Sequence, residues 1–403
     1  MKSKIFIFLL LIIFCFISIF TGLYYNNELL LGSFESFNND DVKYLRSADT
    51  LIKTGKFTYN YPKTSTAFIM PGIVFTLVPF VKIFGMIDAV TYFRIFSAIV
   101  QTVTLYIIFL ISLKLFNKKV ALITLILNLI YIPHFYVTNL VLTETMFSFF
   151  MSLLVLMSIY AIKTKKIKFY ILGGIVLGFA ILFRPSIALY PLIIFVVWCK
   201  EKYKIKEMIR FAIVSLIACF VILTPWWIRN YRVFNKFIPF TLSSGNPMLQ
   251  GAFINNNVDH ELIAKLNTEN LFYTDSEIIN NEIESKMAKK VYAYYFKNNF
   301  WEYLKWNSID KTLMNFSTPY YGIELYGISY KVAITQHIIY MLFGVLGSLR
   351  NSKKKLIIIL IPLYFAVVHL PFLAYSRYMY PVCSYMIMLM ASGLLNEKLR
   401  IKN

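Results

Sequence analysis

Two adjacent carboxylates, Asp40 and Asp41, open the first polar stretch of the chain, FNNDDVKYLRSADTLIKTG at residues 37–55. Apolar residues follow about one helical turn apart, which predicts a short amphipathic helix on a membrane surface: Val42, Leu45, Ala48 and Ile52. Asn39 or Asp40 is placed to cap this helix, and Gly55 to end it. A carboxylate at the positive end of a helix is favoured in its ionised form, which a general base needs. A purely capping role explains these acids equally well.

Four further ionisable residues lie at the end of apolar stretches: Glu144 in NLVLTETMF, Arg184 in LFRPS, Arg229 after TPWW, and Arg377 in AYSRYMYP. Charges at membrane depth are costly and tend to be functional, although each of these alone suits an interfacial anchor. Arginine offers a two-pronged hydrogen-bonding fork to phosphate. The three arginines together therefore predict a site for an anionic group, facing the acidic stretch.

Other chemistries find no support in the sequence. The four histidines lack metal-ligand spacing such as HExxH, and the chain has no GxGxxG, P-loop or GxSxG motif. These absences argue against nucleotide-driven chemistry and against an α/β hydrolase. The four cysteines lie in apolar runs without CxxC spacing, so they are interpreted as small buried hydrophobes.

The composition determines the class of protein. Of 403 residues, 58% are hydrophobic, and the mean hydropathy is +0.63. Such values exceed those of soluble domains and indicate an all-α polytopic membrane protein. Lys and Arg total 41 against 20 acidic residues. In a membrane protein this excess marks cytoplasmic loops and lipid headgroups, and no basic stretch has the pattern of a nucleic-acid site.

About ten membrane spans are predicted from the apolar runs: Ile5–Tyr24, Phe93–Phe116, Val120–Tyr136, Leu140–Ile162, Phe169–Leu182, Ile187–Cys199, Met208–Trp227, Ile328–Leu346, Leu356–Leu373 and Tyr378–Leu395. The first is interpreted as an uncleaved span, because it is longer than the apolar part of a signal peptide. Ile69–Phe84 is short and contains two prolines and a lysine. If it lies in the interface or re-enters the membrane, every basic connector faces the cytoplasm, so we expect that arrangement.

This topology divides the chain into five parts. Residues 1–24 form the first span, and 25–92 form a first outer loop with interfacial helices and the acidic pair. Residues 93–227 form a transmembrane bundle and 228–327 a long outer loop, with an amphipathic helix near Glu282–Phe296. Residues 328–403 hold the last spans and a basic cytoplasmic tail. The acidic pair and the arginines are therefore expected on the non-cytoplasmic face.

In this order the motifs resemble the GT-C glycosyltransferase superfamily, especially the branch of protein O-mannosyltransferases and aminoarabinose transferases. The residues that carry the resemblance are Asp40, Asp41, Tyr44, Ala48, Leu51, Gly55, Pro71, Gly72, Phe84, Gly85, Thr143, Glu144, Gly174, Gly178, Ala180, Leu182, Arg184, Pro185, Pro225, Trp226, Arg229, Asn230, Tyr231, Arg377 and Pro381. They extend over most of the chain, but residues 255–310 match no part of the family pattern.

The resemblance implies a multi-pass enzyme that takes a sugar from a polyprenyl-phosphate carrier. The acceptor would be a glycan, lipid or protein on the outer face of the plasma membrane, and the Lys, Ile and Asn bias suggests a bacterium. The family's catalytic acid corresponds to Asp40, with Asp41 second. The mannosyltransferases have Asp-Glu where this chain has Asp-Asp, so the identity of the base stays open between the two. Glu144, Arg184, Arg229, Arg377 and Tyr44 would bind the donor. No cofactor is certain, and a divalent metal stays open because some relatives bind one through a loop histidine, here His260.

The chemistry of the residues agrees with an inverting displacement. Adjacent helical residues point about 100° apart, so Asp40 and Asp41 cannot both flank one anomeric carbon. One base, with an arginine that stabilises the departing phosphate, is the simpler scheme. A transporter or flippase of lipid-linked sugars is the alternative from another class, but it would place its polar site near the bilayer midplane, often with internal repeats. A polysaccharide ligase or polymerase would use the same donors on the same face.

Overall fold

A computed structural model describes residues 2–269, 271–350 and 355–395. The regular elements in these ranges are all helical. The α-helices are α1 Lys2–Tyr25, α2 Asp40–Thr54, α3 Gly72–Leu115, α4 Lys118–Leu129, α5 Ile132–Val137, α6 Glu144–Thr164, α7 Ile167–Phe183, α8 Pro191–Lys200, α9 Ile205–Phe234, α10 Gly245–Gly251, α11 His260–Leu266, α12 Glu277–Asn298, α13 Phe300–Lys305, α14 Lys311–Ser317, α15 Tyr330–Leu349, α16 Leu356–His369 and α17 Tyr380–Leu394. The predicted basic tail and most of the connector 350–355 lie outside the described residues.

The all-α membrane fold predicted from composition is confirmed. Among the described residues, five helices are long and apolar enough to cross a membrane: α1, α3, α6, α9 and α15. Shorter apolar helices occupy Ile167–Phe183, Pro185–Lys200 and Leu356–His369. These coincide with three of the expected spans, but their length is below the usual requirement of about 20 residues. The total of about ten spans therefore stays a prediction.

Helix α3 consists of two arms that meet at Gly85, whose backbone has φ 77° and ψ 169°. In a straight helix Phe80 and Phe93 would be about 20 Å apart along the axis. Their ring centroids instead lie 6.0 Å apart, and Phe84 stacks on Tyr92 at 3.6 Å. Residues 72–84 therefore fold back against the following arm and do not extend it. Their position in the membrane interface stays a prediction.

The basic connectors between the apolar helices lie at one end of the bundle. The contacts that show this are Lys163 Nζ to the Lys114 carbonyl (2.6 Å), Lys165 Nζ to Glu207 (3.0 Å) and Lys355 Nζ to the Phe116 ring (5.8 Å). They join the connectors that follow α3, α6 and α8 with the start of α16. The side of the membrane that this end faces follows only from the charge rule.

The long polar segment forms a small helical unit at the other end. Helices α10, α11 and α12 enclose their own apolar core, which includes Leu249, Phe253, Leu262, Met287 and Val291. Two backbone hydrogen bonds attach this unit to the rest of the chain: Leu242 N to the Ala67 carbonyl at 2.8 Å, and Leu373 N to the Pro247 carbonyl at 2.7 Å. The unit thus lies against the first polar loop and the segment before α17.

Candidate active site

Helix α2 places the first acidic residue at the end of the bundle. The Asn39 side chain accepts a hydrogen bond from the Asp40 amide at 2.7 Å, and Gly55 ends the helix with φ +70°. The N-cap and the left-handed stop predicted from the sequence are therefore both present. The predicted apolar face packs inward over its first three positions, where Val42, Leu45 and Ala48 are fully buried, whereas Ile52 is 37% exposed. The inward face holds Asp40, the first residue of the helix, at a fixed position.

The Asp40 carboxylate accepts hydrogen bonds from both sides. Arg377 Nη1 donates to Oδ2 at 2.8 Å, and the Tyr59 hydroxyl donates to Oδ1. Burial raises the pKa of this carboxyl, but the charge of Arg377 and the two hydrogen bonds outweigh it, so the pKa lies below its ordinary value. The side chain is still 36% exposed. Asp40 is thus ionised and can be reached by a ligand.

Asp41 points in another direction. It is 1% exposed, and its two carboxylate oxygens accept hydrogen bonds from backbone amides of Leu31 (2.6 Å), Gly32 (3.4 Å) and Val42 (2.8 Å). This carboxylate fixes the turn before α2 onto the first turn of the helix. The structure does not bring it to the other charged residues predicted for the site.

Glu144 begins α6 and is completely buried. Arg184 directly follows α7 and has an extended backbone. Its Nη2 donates to Glu144 Oε1 at 2.7 Å. Its Nε donates to the Thr143 hydroxyl at 3.0 Å. A buried carboxylate is tolerated only when it is paired and hydrogen-bonded, and Arg184 supplies part of that pairing. Because Glu144 is buried, it is not the interfacial anchor that its position in the sequence also suits.

Arg377 joins these two pairs. It lies in the short turn Ser376–Met379 before α17, and it donates from Nη1 to Asp40 and from Nε and Nη2 to Glu144. Asp40, Arg377, Glu144 and Arg184 therefore form a continuous chain of alternating charges, here called the four-charge cluster. Its formal charge is zero. A buried pair of this kind costs desolvation energy, so its retention suits a role in chemistry more than in stability.

Tyr44 borders the cluster without a hydrogen bond to it. The side chain is 6% exposed, and its ring lies 5.6 Å from that of Tyr59. Burial raises the pKa of Tyr44, and the charge of Asp40 raises it further, so the hydroxyl stays protonated. Tyr44 therefore forms part of the wall behind Asp40 and contributes a neutral hydroxyl.

Arg229 does not join the cluster. From α9 it donates to the backbone carbonyls of Thr66 at 2.6 Å and Phe57 at 3.2 Å, and its guanidinium lies 5.2 Å from the Trp226 ring. Of the three arginines predicted to share an anion, the structure brings together Arg184 and Arg377. Arg229 instead fixes the loop 57–66, which carries Tyr59.

Several aromatic residues at the cluster are absent from the sequence-based prediction. The Tyr320 ring lies 5.9 Å from the Arg377 guanidinium, and Tyr378 stacks on His369 at 5.1 Å beside the same turn. Tyr59, whose hydroxyl donates to Asp40, is the third aromatic residue of this kind. Tyr378 could have been suggested by its position next to Arg377, but Tyr59 and Tyr320 lie in irregular segments where no periodic pattern marks them.

An apolar cavity of about 370 Å³ lies beside the cluster, between the arms of α3 and helices α6 and α7. Its lining includes Phe75, Phe149, Phe150, Leu182 and Phe183. The last two of these residues directly precede Arg184. An apolar chain in this cavity would therefore end close to a guanidinium group.

A metal site was left open by the sequence. Within residues 2–269, 271–350 and 355–395, no group of three or more His, Cys, Asp or Glu side chains is placed to hold a metal ion. The two carboxylates of the four-charge cluster are both bonded to Arg377.

The all-α membrane bundle defines a polytopic membrane protein. Its polar site lies near one surface and is built from acids and arginines in distant parts of the chain. The comparisons with known proteins identify the class more closely. Residues 69–228 match the family model of the dolichyl-phosphate-mannose-protein mannosyltransferases. No curated protein matches the sequence of the chain.

The fold is similar to that of a solved oligosaccharyltransferase. The apo oligosaccharyltransferase of Archaeoglobus fulgidus has a TM-score of 0.58 and 14% identity, covering 98% of this chain and 51% of that chain. Archaeal oligosaccharyltransferase AglB from Archaeoglobus fulgidus, in complex with an inhibitory peptide and a dolichol-phosphate, has a TM-score of 0.55 and 14% identity, covering 98% of this chain and 50% of that chain. ArnT from Cupriavidus metallidurans bound to undecaprenyl phosphate has a TM-score of 0.46 and 12% identity, covering 98% of this chain and 78% of that chain. The resemblance to the GT-C membrane glycosyltransferases is confirmed. The chain spans about half the length of the oligosaccharyltransferase.

Proposed function

We propose that this protein is a glycosyltransferase that moves a sugar from a polyprenyl-phosphate carrier to an acceptor at the outer face of the plasma membrane. The observation that carries the proposal is the contact of Arg377 with Asp40 and Glu144, at one end of a bundle with the GT-C fold. That contact places an ionised carboxylate within a few ångströms of two guanidinium groups. Such a site can bind a phosphate leaving group and deprotonate an acceptor together.

The donor lipid fits the surroundings of Arg184. Its Nη1 makes no hydrogen bond to any residue that the structure describes, although Nε and Nη2 are bonded, and its side chain is 13% exposed. A phosphate oxygen is a suitable acceptor for this free donor. The apolar cavity that begins at Leu182 and Phe183 can take the first isoprene units of the carrier.

Asp40 is the proposed general base, and Asp41 is not placed to share this role. Asp40 takes the proton of an acceptor hydroxyl or amine, and the acceptor atom forms a bond with the anomeric carbon. The bond from that carbon to the phosphate oxygen breaks, and the oxygen leaves with the electron pair. The negative charge that grows on the leaving phosphate is stabilised by Arg184, assisted by Arg377. This single displacement inverts the anomeric configuration.

The orientation rests on the distribution of charge. The basic connectors collect at the end of the bundle opposite to the four-charge cluster. Since basic loops stay in the cytoplasm, the cluster faces outside. The acceptor is then a glycan, lipid or protein of the cell envelope.

The test is sugar transfer by the purified chain in lipid nanodiscs, supplied with polyprenyl-phosphate sugars and envelope extracts as acceptors. Release of free polyprenyl phosphate and labelling of the acceptor are measured together. The parent and Asp49→Asn should transfer, and Asp40→Asn should not. Transfer by Asp40→Asn at the parental rate would refute the assignment of the base, and absence of transfer from every polyprenyl-phosphate sugar would refute the function.

A further inference from the structure

A second, polar cavity lies in the segment for which the sequence suggested no role. Its volume is about 160 Å³, and it lies between the first polar loop and the start of α12. The loop contributes Asn60 and Phe68, and α12 contributes Glu277, Asn281 and Glu284. None of these residues belongs to the four-charge cluster.

Glu284 is the most informative residue of this cavity. It is nine-tenths buried, with 9% of its surface exposed. Asn246 Nδ2 and the Tyr273 hydroxyl both donate to Oε1, at 3.1 and 3.3 Å, while Oε2 has no hydrogen-bond partner among the described residues. Oε2 is therefore free to accept a hydrogen bond from a ligand in the cavity.

Other groups in the lining are also free to bind a ligand. Asn281 Oδ1 accepts from the Gly245 amide at 2.8 Å, and Asn60 Oδ1 accepts from Lys43 at 3.2 Å. The amide nitrogens of both asparagines, which donate, have no partner within the described ranges. The Asp275 carboxylate likewise has no hydrogen bond to a described residue. The cavity thus offers donors and acceptors side by side.

This mixture matches a sugar. Each hydroxyl of a sugar both donates and accepts a hydrogen bond, so it can use a carboxylate and an amide nitrogen together. Tyr61 and Tyr273 line the cavity with largely exposed rings, which offer apolar surface to the C–H face of a pyranose. The carboxylates of Asp275, Glu277 and Glu284 disfavour any anionic ligand.

The cavity is adjacent to the proposed base. Tyr59, whose hydroxyl donates to Asp40, stacks on Phe68 with ring centroids 5.8 Å apart and planes inclined by 17°. Phe68 is itself part of the cavity lining. One stacked pair of rings therefore separates the cavity from Asp40. A ligand with two or more linked units is the kind of molecule that could contact both places.

We infer that the polar cavity binds a sugar unit of the acceptor, next to the unit whose hydroxyl Asp40 deprotonates. The inference rests on the proposed function, which it makes more specific: the acceptor is a saccharide chain with a neutral or amino sugar beside the reacting unit. No covalent step takes place in the cavity. Its role is to position the acceptor, so it determines KM and selectivity and leaves the chemical step to the four-charge cluster.

The test is direct binding by the full chain in nanodiscs, measured by titration calorimetry with two probes. Maltotriose is neutral, and the trisaccharide of glucosamine is cationic. Glu284→Gln keeps the shape and one acceptor oxygen for Asn246 and Tyr273, but it turns an amide nitrogen toward the cavity. We expect about 10-fold weaker binding of the preferred probe. Glu282→Gln is the matched control, because Glu282 lies on the same helix and pairs with Lys236 at 2.5 Å outside the cavity.

The outcomes separate this inference from the proposed function. Preference for the glucosamine trisaccharide identifies an amino sugar, and equal or better binding of maltotriose identifies a neutral one. Binding of neither probe, or equal binding by Glu284→Gln and Glu282→Gln, overturns the inference. If Glu284→Gln does not fold, Asp275→Asn, an exposed change, serves instead with the same criterion. Asp40→Asn should keep the parental Kd, so loss of transfer without loss of sugar binding supports both proposals separately.

Discussion

Arg377 Nη1 lies 2.8 Å from Asp40 Oδ2, although the two residues are 337 positions apart in the chain. The contact joins the first turn of α2 to the turn that precedes α17. Because the same guanidinium also bonds Glu144, the ionisation of Asp40 depends on a residue near the other end of the chain. The site is therefore complete only when the last helices have packed against the first polar loop.

Asp40→Asn should remove activity, and the protein should still fold. Asparagine keeps the size of the side chain, and the helix is capped by Asn39 and not by Asp40 itself. General-base assistance is worth about 10²- to 10⁴-fold in rate, so the transfer rate should fall by that factor. The measurement is single-turnover transfer, with the melting temperature recorded in parallel.

Asp49→Asn is the control for this change, since it is the same substitution on the same helix at an exposed pair with Lys53. It should transfer normally. Equal loss in both variants would mean that α2 responds to any loss of charge, and the role of Asp40 as base would then be wrong.

Asp41→Asn should show the opposite behaviour. Its carboxylate accepts three backbone hydrogen bonds, and an amide replaces one of the accepting oxygens with a donor. Loss of buried hydrogen bonds to a charged group costs about 1–3 kcal/mol. The melting temperature should therefore fall, while turnover per folded molecule stays within a few-fold of the parent. A stable Asp41→Asn protein without turnover would place the base at Asp41.

Local features of the site could be predicted from the sequence. Asn39 and Gly55 bracket α2 because capping and a left-handed stop depend on residues within one turn. The same is true of the buried positions Val42 and Leu45, which follow from helical periodicity. The break after Arg184 follows from Pro185, which cannot continue α7.

Long-range contacts could not be predicted in this way. Arg377 and Glu144 are 233 positions apart, and nothing local distinguishes Arg377 from Arg229. Both follow an apolar stretch, yet one meets two carboxylates and the other meets two backbone carbonyls. The choice is made by tertiary packing. Tyr59 is a similar case, because its loop has neither helical nor strand periodicity.

Arg184→Lys and Arg229→Lys should therefore differ, although both keep the charge. At Arg184 a single ammonium nitrogen cannot occupy the separate positions from which the guanidinium nitrogens reach Glu144, Thr143 and the phosphate, so kcat/KM for the lipid donor should fall about 10- to 100-fold. At Arg229 the substitution weakens the hydrogen bonds to the Thr66 and Phe57 carbonyls and so loosens the loop 57–66, which should lower the melting temperature. Donor KM measured at fixed acceptor distinguishes the two. Equal donor KM values in both variants would place the phosphate away from Arg184.

The orientation of the bundle predicts a labelling pattern in intact cells. Lys56→Cys and Asn257→Cys are exposed positions at the end that holds the cluster, and Lys166→Cys is exposed at the opposite end. With the exposed Cys199 replaced by serine, a membrane-impermeant maleimide should label the first two and not the third. Labelling of Lys166→Cys alone would reverse the topology.

The pH dependence of transfer should depend on the partners of Asp40. In the parent the pKa of Asp40 is low, so the ionised base is fully present at neutral pH and is lost only as the pH falls through that low value. The stability contributed by its contacts has the same sign: it is present above the pKa of an unfolded Asp and is lost as the pH falls through the folded value. On the acid side of the pH–rate profile, the transfer rate should therefore fall only at a pH below the ordinary pKa range of an aspartate.

Tyr59→Phe should shift the acid side of the pH–rate profile to higher pH. The substitution keeps the ring, which packs against Tyr44 and stacks on Phe68, and removes the hydroxyl that donates to Asp40. Loss of one hydrogen bond to the charged form raises its pKa, by about one unit for about 1.4 kcal/mol. The pH at half-maximal kcat/KM should rise by about one unit, with a small change in the plateau. Tyr292→Phe is the control, because its hydroxyl donates to the Pro371 carbonyl and not to the cluster. A profile for Tyr59→Phe that coincides with the control would show that the acid side reports another group, and Asp40 would not be the base.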